Sequence, residues 1–387
     1  MGQFQEALEK SLTLGVLNLG MTLKLVDEGV LRGVSKREIQ NEMQKSDSSA
    51  LDLRLSNTGW RLHGTFKPKS DQAHELVEHL VEKYAEAQLS NLPTGEVLIP
   101  GSVYLIKLQE SLNLNEKLNL YAQASGKSSV GRLDVLTRLL IDNSSVYDEV
   151  PKNYKGSLYA EVIPLSFPIF VKQGYSVNQL RFFHGEPSDC LLQPKLLENF
   201  GGSTPIILDK NGVNKVKGIE KLSIDLSLVE IAQEKACAFV AKRDEEFEPI
   251  DLSKKDYDPR RYWNIVHPQS DSITMEKDSF YILRSKERFY LPNDITVRCI
   301  AYTENLGETR IHYAGFAHPW FARTGEGKTK GAPLIFEVRC HSFKVQARDG
   351  EEFARIEFYK MAEPTIVKNP DYDPQELKLS KCFREWQ

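Results

Sequence analysis

This 387-residue chain lacks a dominant charge: 50 basic residues stand against 54 acidic ones, for a formal net charge of −4. That balance excludes global attraction to nucleic acid or to an anionic membrane surface. Cysteine is scarce. Cys190, Cys237, Cys299, Cys340 and Cys382 are odd in number, widely spaced and form no C-x-x-C pair. They give no disulfide framework and point to a reducing compartment. The first 25 residues hold no apolar run of membrane-spanning length, and Glu6 and Glu9 stand where a secretion signal needs positive charge. Low-complexity sequence is absent too. What is present is a globular composition, 41% hydrophobic and 27% charged, in a chain long enough for two or three domains. These features describe a cytoplasmic protein opening on a helical arm, residues 1–45.

The chain repeats itself. SALDLRL (49–55) aligns with LSIDLSL (222–228), which puts Asp52 on Asp225, 173 positions apart. GSVYLIKLQESLNL (101–114) aligns with DSFYILRSKERFYL (278–291), Tyr104 on Tyr281 at 177. GSLYAEV (156–162) and APLIFEV (332–338) put Glu161 on Glu337 at 176, and Gly174 falls on Gly350 at the same offset. Four blocks in one order imply a tandem duplication of a unit of about 140 residues. Within each unit, short runs rich in β-branched and aromatic residues alternate with Gly, Asn, Asp and Pro, which predicts strands closing into a sandwich or barrel. Helices are peripheral, the clearest spanning 71–88. The expected organisation is an arm (1–45), a first unit (46–185), a linker (186–218), a second unit (219–361) and a polar tail (362–387).

The chemistry-bearing segment is GKSSVGR (126–132). Small residues in a tight turn let N–H groups and hydroxyls converge on an anion, and Arg132 adds a charged fork. Glu161, 29 positions on in the run SLYAEVIPL, loses solvation on a strand, which raises a carboxyl toward general-base range.

GKSSVGRLDVLTRLLID, then YKGSLYAEV and QGYSVNQLRFF, together with DSSALDLRL (47–55), resemble the 2′-deoxycytidine 5′-triphosphate deaminases, in particular a long duplicated bacterial form. That family belongs to the dUTPase-like superfamily. The resemblance implies a mainly β protein, a tandem duplication of a dUTPase-like distorted β-barrel (β-clip) unit. It implies hydrolysis of dCTP to dUTP and ammonia, feeding dTTP synthesis. The protein itself would bind no cofactor or catalytic metal, and Mg2+ would accompany the substrate triphosphate. It also implies a homo-oligomer with sites between units.

By resemblance Glu161 is the base, Ser128 holds the water or the carboxylate, and Arg132 steadies the transition state. Lys127 and Ser129 lie near the phosphates, and Gln179 faces the nucleotide. Lys127 stands where the family carries Arg, keeping the charge without the fork. In the second unit the serine turn is replaced by TENLGETR (303–310), while HYAGFAHPWF (312–321) resembles the base-reading hairpin. Its first-unit counterpart keeps Asp142. One reading therefore divides the labour: the first unit supplies Lys127, Ser128, Ser129 and Arg132, the second Ala314, Gly315, Phe316 and Glu337. The other completes a site around Glu161. Rival activities are a dUTP pyrophosphatase, a bifunctional deaminase-pyrophosphatase, or a non-catalytic nucleotide sensor. A pyrophosphatase needs an aspartate where His318 stands and a closing glycine-rich arm; FGGSTP (200–205) lies in the linker instead.

Two other patterns read as structural. His74 and His79 are five apart, so they diverge by roughly 140° on a helix and form no zinc pair. His184-Gly-Glu186 has no P-C-x-x-C partner.

Overall fold

In the computed structural model the described residues are 12–45, 49–70, 75–193, 197, 206–209, 211, 221–243, 246–300, 309–311, 315–322, 331–365 and 376–387. They pack into two units. Unit 1 comprises Met1–Lys127, Val135–Leu191 and Tyr359–Val367; unit 2 comprises Ser128–Asp134, Leu192–Phe358 and Lys368–Gln387.

Unit 1 opens with α1 (Leu19–Asp27), whose N-terminus is capped by Asn18 accepting from the Met21 N–H at 2.8 Å, and with α2 (Lys36–Lys45). Its sheet is built from β1 (Leu51–Leu62), β2 (Val103–Asn113), β3 (Leu120–Gly126), β4 (Val135–Ile141), β5 (Lys155–Pro164) and β6 (Ser176–His184). The order is β4-β5-β2-β1-β6-β3, antiparallel throughout. Strand alternation explains the pattern: Leu51, Leu53 and Leu55 point into the core while Asp52 and Arg54 face away. The two ends of this path meet at Asp148. Its N–H donates to Leu139 O on β4 at 3.0 Å, and its carbonyl accepts from Ala124 N on β3 at 2.8 Å. The sheet is thereby nearly closed, as in a barrel.

Unit 2 repeats the plan. Its main sheet runs β8 (Trp263–Val266), β7 (Ala238–Ala241), β9 (Phe280–Phe289), β13 (Ala332–Cys340) and β11 (Thr309–Ile311). A second sheet contains β10 (Ile295–Ile300), β12 (Phe316–Ala317) and β14 (Glu352–Lys360). Its core gathers Leu222, Ile224, Leu283, Phe289, Val297, Phe336 and Phe358.

The duplication is visible bond for bond. Tyr104 Oη accepts from Ile99 N and Tyr281 Oη accepts from Glu276 N, each at 3.0 Å. Glu110 accepts from Arg54 N at 2.8 Å, and Glu287 accepts from Ser223 N at 2.9 Å. Gly174 and Gly350, at φ +85° and +82°, donate to Leu55 O and Ile224 O, both at 2.9 Å. These bonds equate Leu55 with Ile224, so the alignment of Asp52 with Asp225 is four residues out of register. An even slip preserves the in–out alternation, and the hydrophobic pattern could not expose it.

Other boundaries differ from expectation. The helix expected over 71–88 is α3 (Val77–Tyr84) only; residues 71–74 lie outside the described residues, and Ala85–Gln88 forms a strand against β1. The expected linker contains Ile207–Leu208, a strand on β9 whose apolar side chains are buried. Tyr359–Val367 belongs to unit 1, where Ala362 N donates to Val16 O at 2.8 Å. The expected polar tail buries Ser380, Cys382 and Phe383.

Glu110 is fully buried and accepts from both the backbone and the guanidinium of Arg54, each at 2.8 Å. Glu110→Ala removes one of the two carboxylate partners of a mostly buried cation, Glu38 being the other, and an acceptor from the strand. We expect a loss of about 2 kcal/mol in urea unfolding; an unchanged midpoint would refute the structural role.

Candidate active site

The serine turn is one helical turn, α4 (Ser128–Gly131), closed by Arg132 N→Ser128 O at 3.0 Å and Leu133 N→Val130 O at 3.0 Å. Val130 and Leu133 are buried, which fixes the turn from below and leaves Ser128 exposed. Asp134 ends it in the left-handed region at φ +58°, a conformation Asp tolerates better than most residues.

All of this lies in unit 2, and the strand it meets there is β13. Ser128 Oγ donates to Glu337 Oε1 at 3.4 Å, and Arg132 Nε stands 3.7 Å from the same oxygen. Two residues along, on the same strand face, Arg339 ion-pairs the fully buried Asp134 and donates to Asp278 O at 2.7 Å. One strand therefore clasps both ends of the turn. From the C-terminal segment, Ser380 Oγ donates to Ser129 O at 2.6 Å. Arg132 Nη1 donates at 3.4 Å to the carbonyls of Lys378 and Leu379.

Glu337 is 6% exposed. Burial pushes its carboxyl up to about 8; Arg132 and the Ser128 hydroxyl pull it down, and Asp134 pushes it up. On β10, the buried Cys299 thiol is pushed up to about 12 by burial and then by Glu337.

In unit 1, Glu161 holds the equivalent position: it lies opposite Leu105 on β2, as Glu337 lies opposite Ile282 on β9. It too is buried, and burial pushes it up to about 7, against a Tyr147 hydroxyl and Arg138 that pull it down. Its Oε2 has no hydrogen-bond partner among the described residues. Tyr147 and Arg138 surround it in place of serine. Of the second unit's TENLGETR, residues 303–308 lie outside the described residues.

The remaining expected residues have neighbours within their own units. Lys127 ion-pairs Asp52 in unit 1, next to Glu42, whose carboxyl is pushed up to about 7 by burial and then by Asp52. Gln179 Nε2 donates to Ser125 Oγ at 3.1 Å. Asp142 accepts from Val77 N at 2.8 Å, capping the start of α3. Ala314 lies outside the described residues. Gly315 O accepts from Cys299 N at 3.0 Å, and Phe316 pairs with Arg298, which places both beside β10 in unit 2.

Sequence reasoning missed Asp134, Arg339 and Ser380. Asp134 lies two residues past Arg132, and Glu337-x-Arg339 is a one-face spacing on a strand, so both left a signal. Ser380 left none. Among the described residues no three His, Cys, Asp or Glu side chains gather as metal ligands, and no helix is long and apolar enough to cross a membrane.

A stability signature follows from Glu337. The unfolded carboxyl ionises near its ordinary 4.5 and the folded one near 8, so the native state binds more protons between those values and loses stability as pH rises through them. Glu337→Gln escapes that loss. The Tm difference between variant and parent should shift in the variant's favour from pH 5 to pH 9; a difference independent of pH would show a solvated carboxylate.

Residues 13–186 match the 2′-deoxycytidine 5′-triphosphate deaminase (DCD) N-terminal domain family, and residues 195–383 match the C-terminal domain family of the same name. The solved 2′-deoxycytidine 5′-triphosphate deaminase from Agrobacterium tumefaciens is similar to the chain with a TM-score of 0.76 at 29% identity. That likeness covers 91% of this chain and 97% of the other. No curated protein matches the chain.

Proposed function

Because the chain belongs to the 2′-deoxycytidine 5′-triphosphate deaminase family and deaminates dCTP, we propose that Glu337 is its general base and that Ser128 and Arg132 complete the catalytic set. The observation that carries this reading is the shared oxygen: Glu337 Oε1 is the acceptor for Ser128 Oγ at 3.4 Å and the ion-pair partner of Arg132 Nε at 3.7 Å.

In this reading water adds to C4 of the cytosine ring while Glu337 takes one of its protons and delivers it to N3. The carboxylate then carries the new hydroxyl's proton to the amino group. Ammonia departs as C4=O forms, which leaves dUTP. A carboxyl raised to about 8 suits this relay, since it gives up its proton as readily as it takes one. Ser128 orients the water or the carboxylate. Arg132 favours the ionised base and the charge that develops at the ring. Glu161, with tyrosine and arginine around it and no serine, serves the fold of unit 1.

For the other residues we propose nucleotide contacts: Lys127 and Ser129 toward the phosphates, and Gln179, Asp142 and the segment Ala314, Gly315, Phe316 toward the nucleoside. Mg2+ would arrive with the triphosphate, as its counter-charge. A cytoplasmic enzyme is supported by five buried free thiols. A homo-oligomer is supported by the family's habit of building sites between neighbouring units.

Ammonia release from dCTP separates the two glutamates. Glu337→Gln should slow turnover at least about a hundredfold, and Glu161→Gln far less. A Glu337→Gln enzyme keeping more than about a tenth of parental turnover would refute the assignment. The pH profile offers a second check. kcat/KM should rise with pH along a limb near 8, the value for the free enzyme's carboxyl. Arg132→Met should move that limb upward, because Arg132 lowers this carboxyl's pKa.

A further inference from the structure

Unit 2 contains a pocket of about 370 Å³ whose floor holds two arginines, Arg284 and Arg288. They are 2% and 6% exposed. Burying two like charges four residues apart on β9 is unfavourable without counter-charge, because neither keeps its hydration shell. Asp225, itself buried, supplies one negative charge 2.8 Å from Arg284 Nη2. The hydroxyl and carbonyl of Ser227 accept from the same guanidinium at 2.8 and 3.0 Å.

The second counter-charge comes from the C-terminal segment. Arg288 donates to Glu376 in a two-pronged fork, Nη2 to Oε1 at 2.7 Å and Nη1 to Oε2 at 2.8 Å. Arg284 Nη1 adds a third donor to Oε2 at 3.2 Å. Three guanidinium N–H groups thus converge on two oxygens, which is how arginines hold a phosphoryl group. Yet the Glu376 side chain is 45% exposed, and the pocket it borders stays open. Arg284 Nε, though buried, meets no acceptor among the described residues. A carboxylate that served only to anchor the chain end would need neither the open volume nor a spare donor. Leu228, 48% exposed, gives the rim an apolar surface.

We propose that Arg284 and Arg288 form a phosphate-binding pocket, separate from the Glu337 site, in which the Glu376 carboxylate occupies the place of a phosphoryl group and is displaced by one. With Glu376 withdrawn, two arginines face a single aspartate, and the pocket carries one net positive charge. A phosphoryl group brings more charge and a third oxygen, which the spare Arg284 donor can meet. The ligand is free phosphate or the phosphate end of a nucleotide, whose body would lie against Leu228.

The test compares the full-length parent, Glu376→Gln and Glu376→Gln/Arg288→Gln by calorimetric titration with inorganic phosphate, and separately with dUTP. Glu376→Gln removes the competing carboxylate and should bind inorganic phosphate at least tenfold more tightly than the parent. Adding Arg288→Gln should abolish that gain. If dUTP fills one more site per chain in Glu376→Gln than in the double variant, the pocket takes a nucleotide; if only inorganic phosphate responds, it takes the free anion. Equal phosphate affinity in the parent and Glu376→Gln overturns the proposal, and Glu376 is then a tether for the chain end. That comparison stands even if circular dichroism shows the double variant to be unfolded.

Discussion

A carboxylate that the fold denies water, and to which it gives one hydroxyl and one guanidinium, is the constraint around which unit 2 is arranged. Glu337 points inward from β13, so its charge must be matched locally or remain protonated. The match comes from a helical turn whose apolar residues Val130 and Leu133 are buried and which is locked to the strand by Asp134 on Arg339. Without the second clasp, Arg132 would be a long, mobile side chain whose encounter with Glu337 costs rotamer entropy each time. With it, the turn is already set in place, and so are the hydroxyl and guanidinium it carries.

The duplicated units give the buried carboxyl different surroundings. Glu161 and Glu337 occupy the same strand register, both buried and both with raised pKa values. One is surrounded by Tyr147 and Arg138, the other by Ser128 and Arg132. Desolvation alone therefore does not single out a base, since it acts equally on each copy; the difference lies in which side chains complete the surroundings. The arginine pair of the second pocket shows the same economy of means. There burial again creates a charge in need of a partner, and a distant stretch of chain provides it.

Much of the architecture could be read from local pattern. Alternation in LDLRL and in the runs around Tyr104 and Tyr281 announced strands, and the recurrence of Tyr104, Glu161 and Gly174 announced the duplication. The even slip between Asp52 and Asp225 escaped notice because both registers bury the same apolar face. Ala85–Gln88 carried helical spacing yet became a strand, because β1 offered it an unpaired edge. Gln179 and Asp142 were chosen by resemblance, and the structure gives each a neighbour in unit 1, Ser125 and Val77.

By itself the sequence determined a duplicated, mostly β protein with a serine-arginine turn and a glutamate that recurs in both units, since each of these follows from side chains close together along the chain. Only the tertiary structure decided which glutamate the turn meets. Ser128 and Glu337 are 209 residues apart, whereas the nearer Glu161 lies on a different unit's sheet. A local motif specifies the shape of a turn; it carries no information about which distant strand its buried residues will pack against.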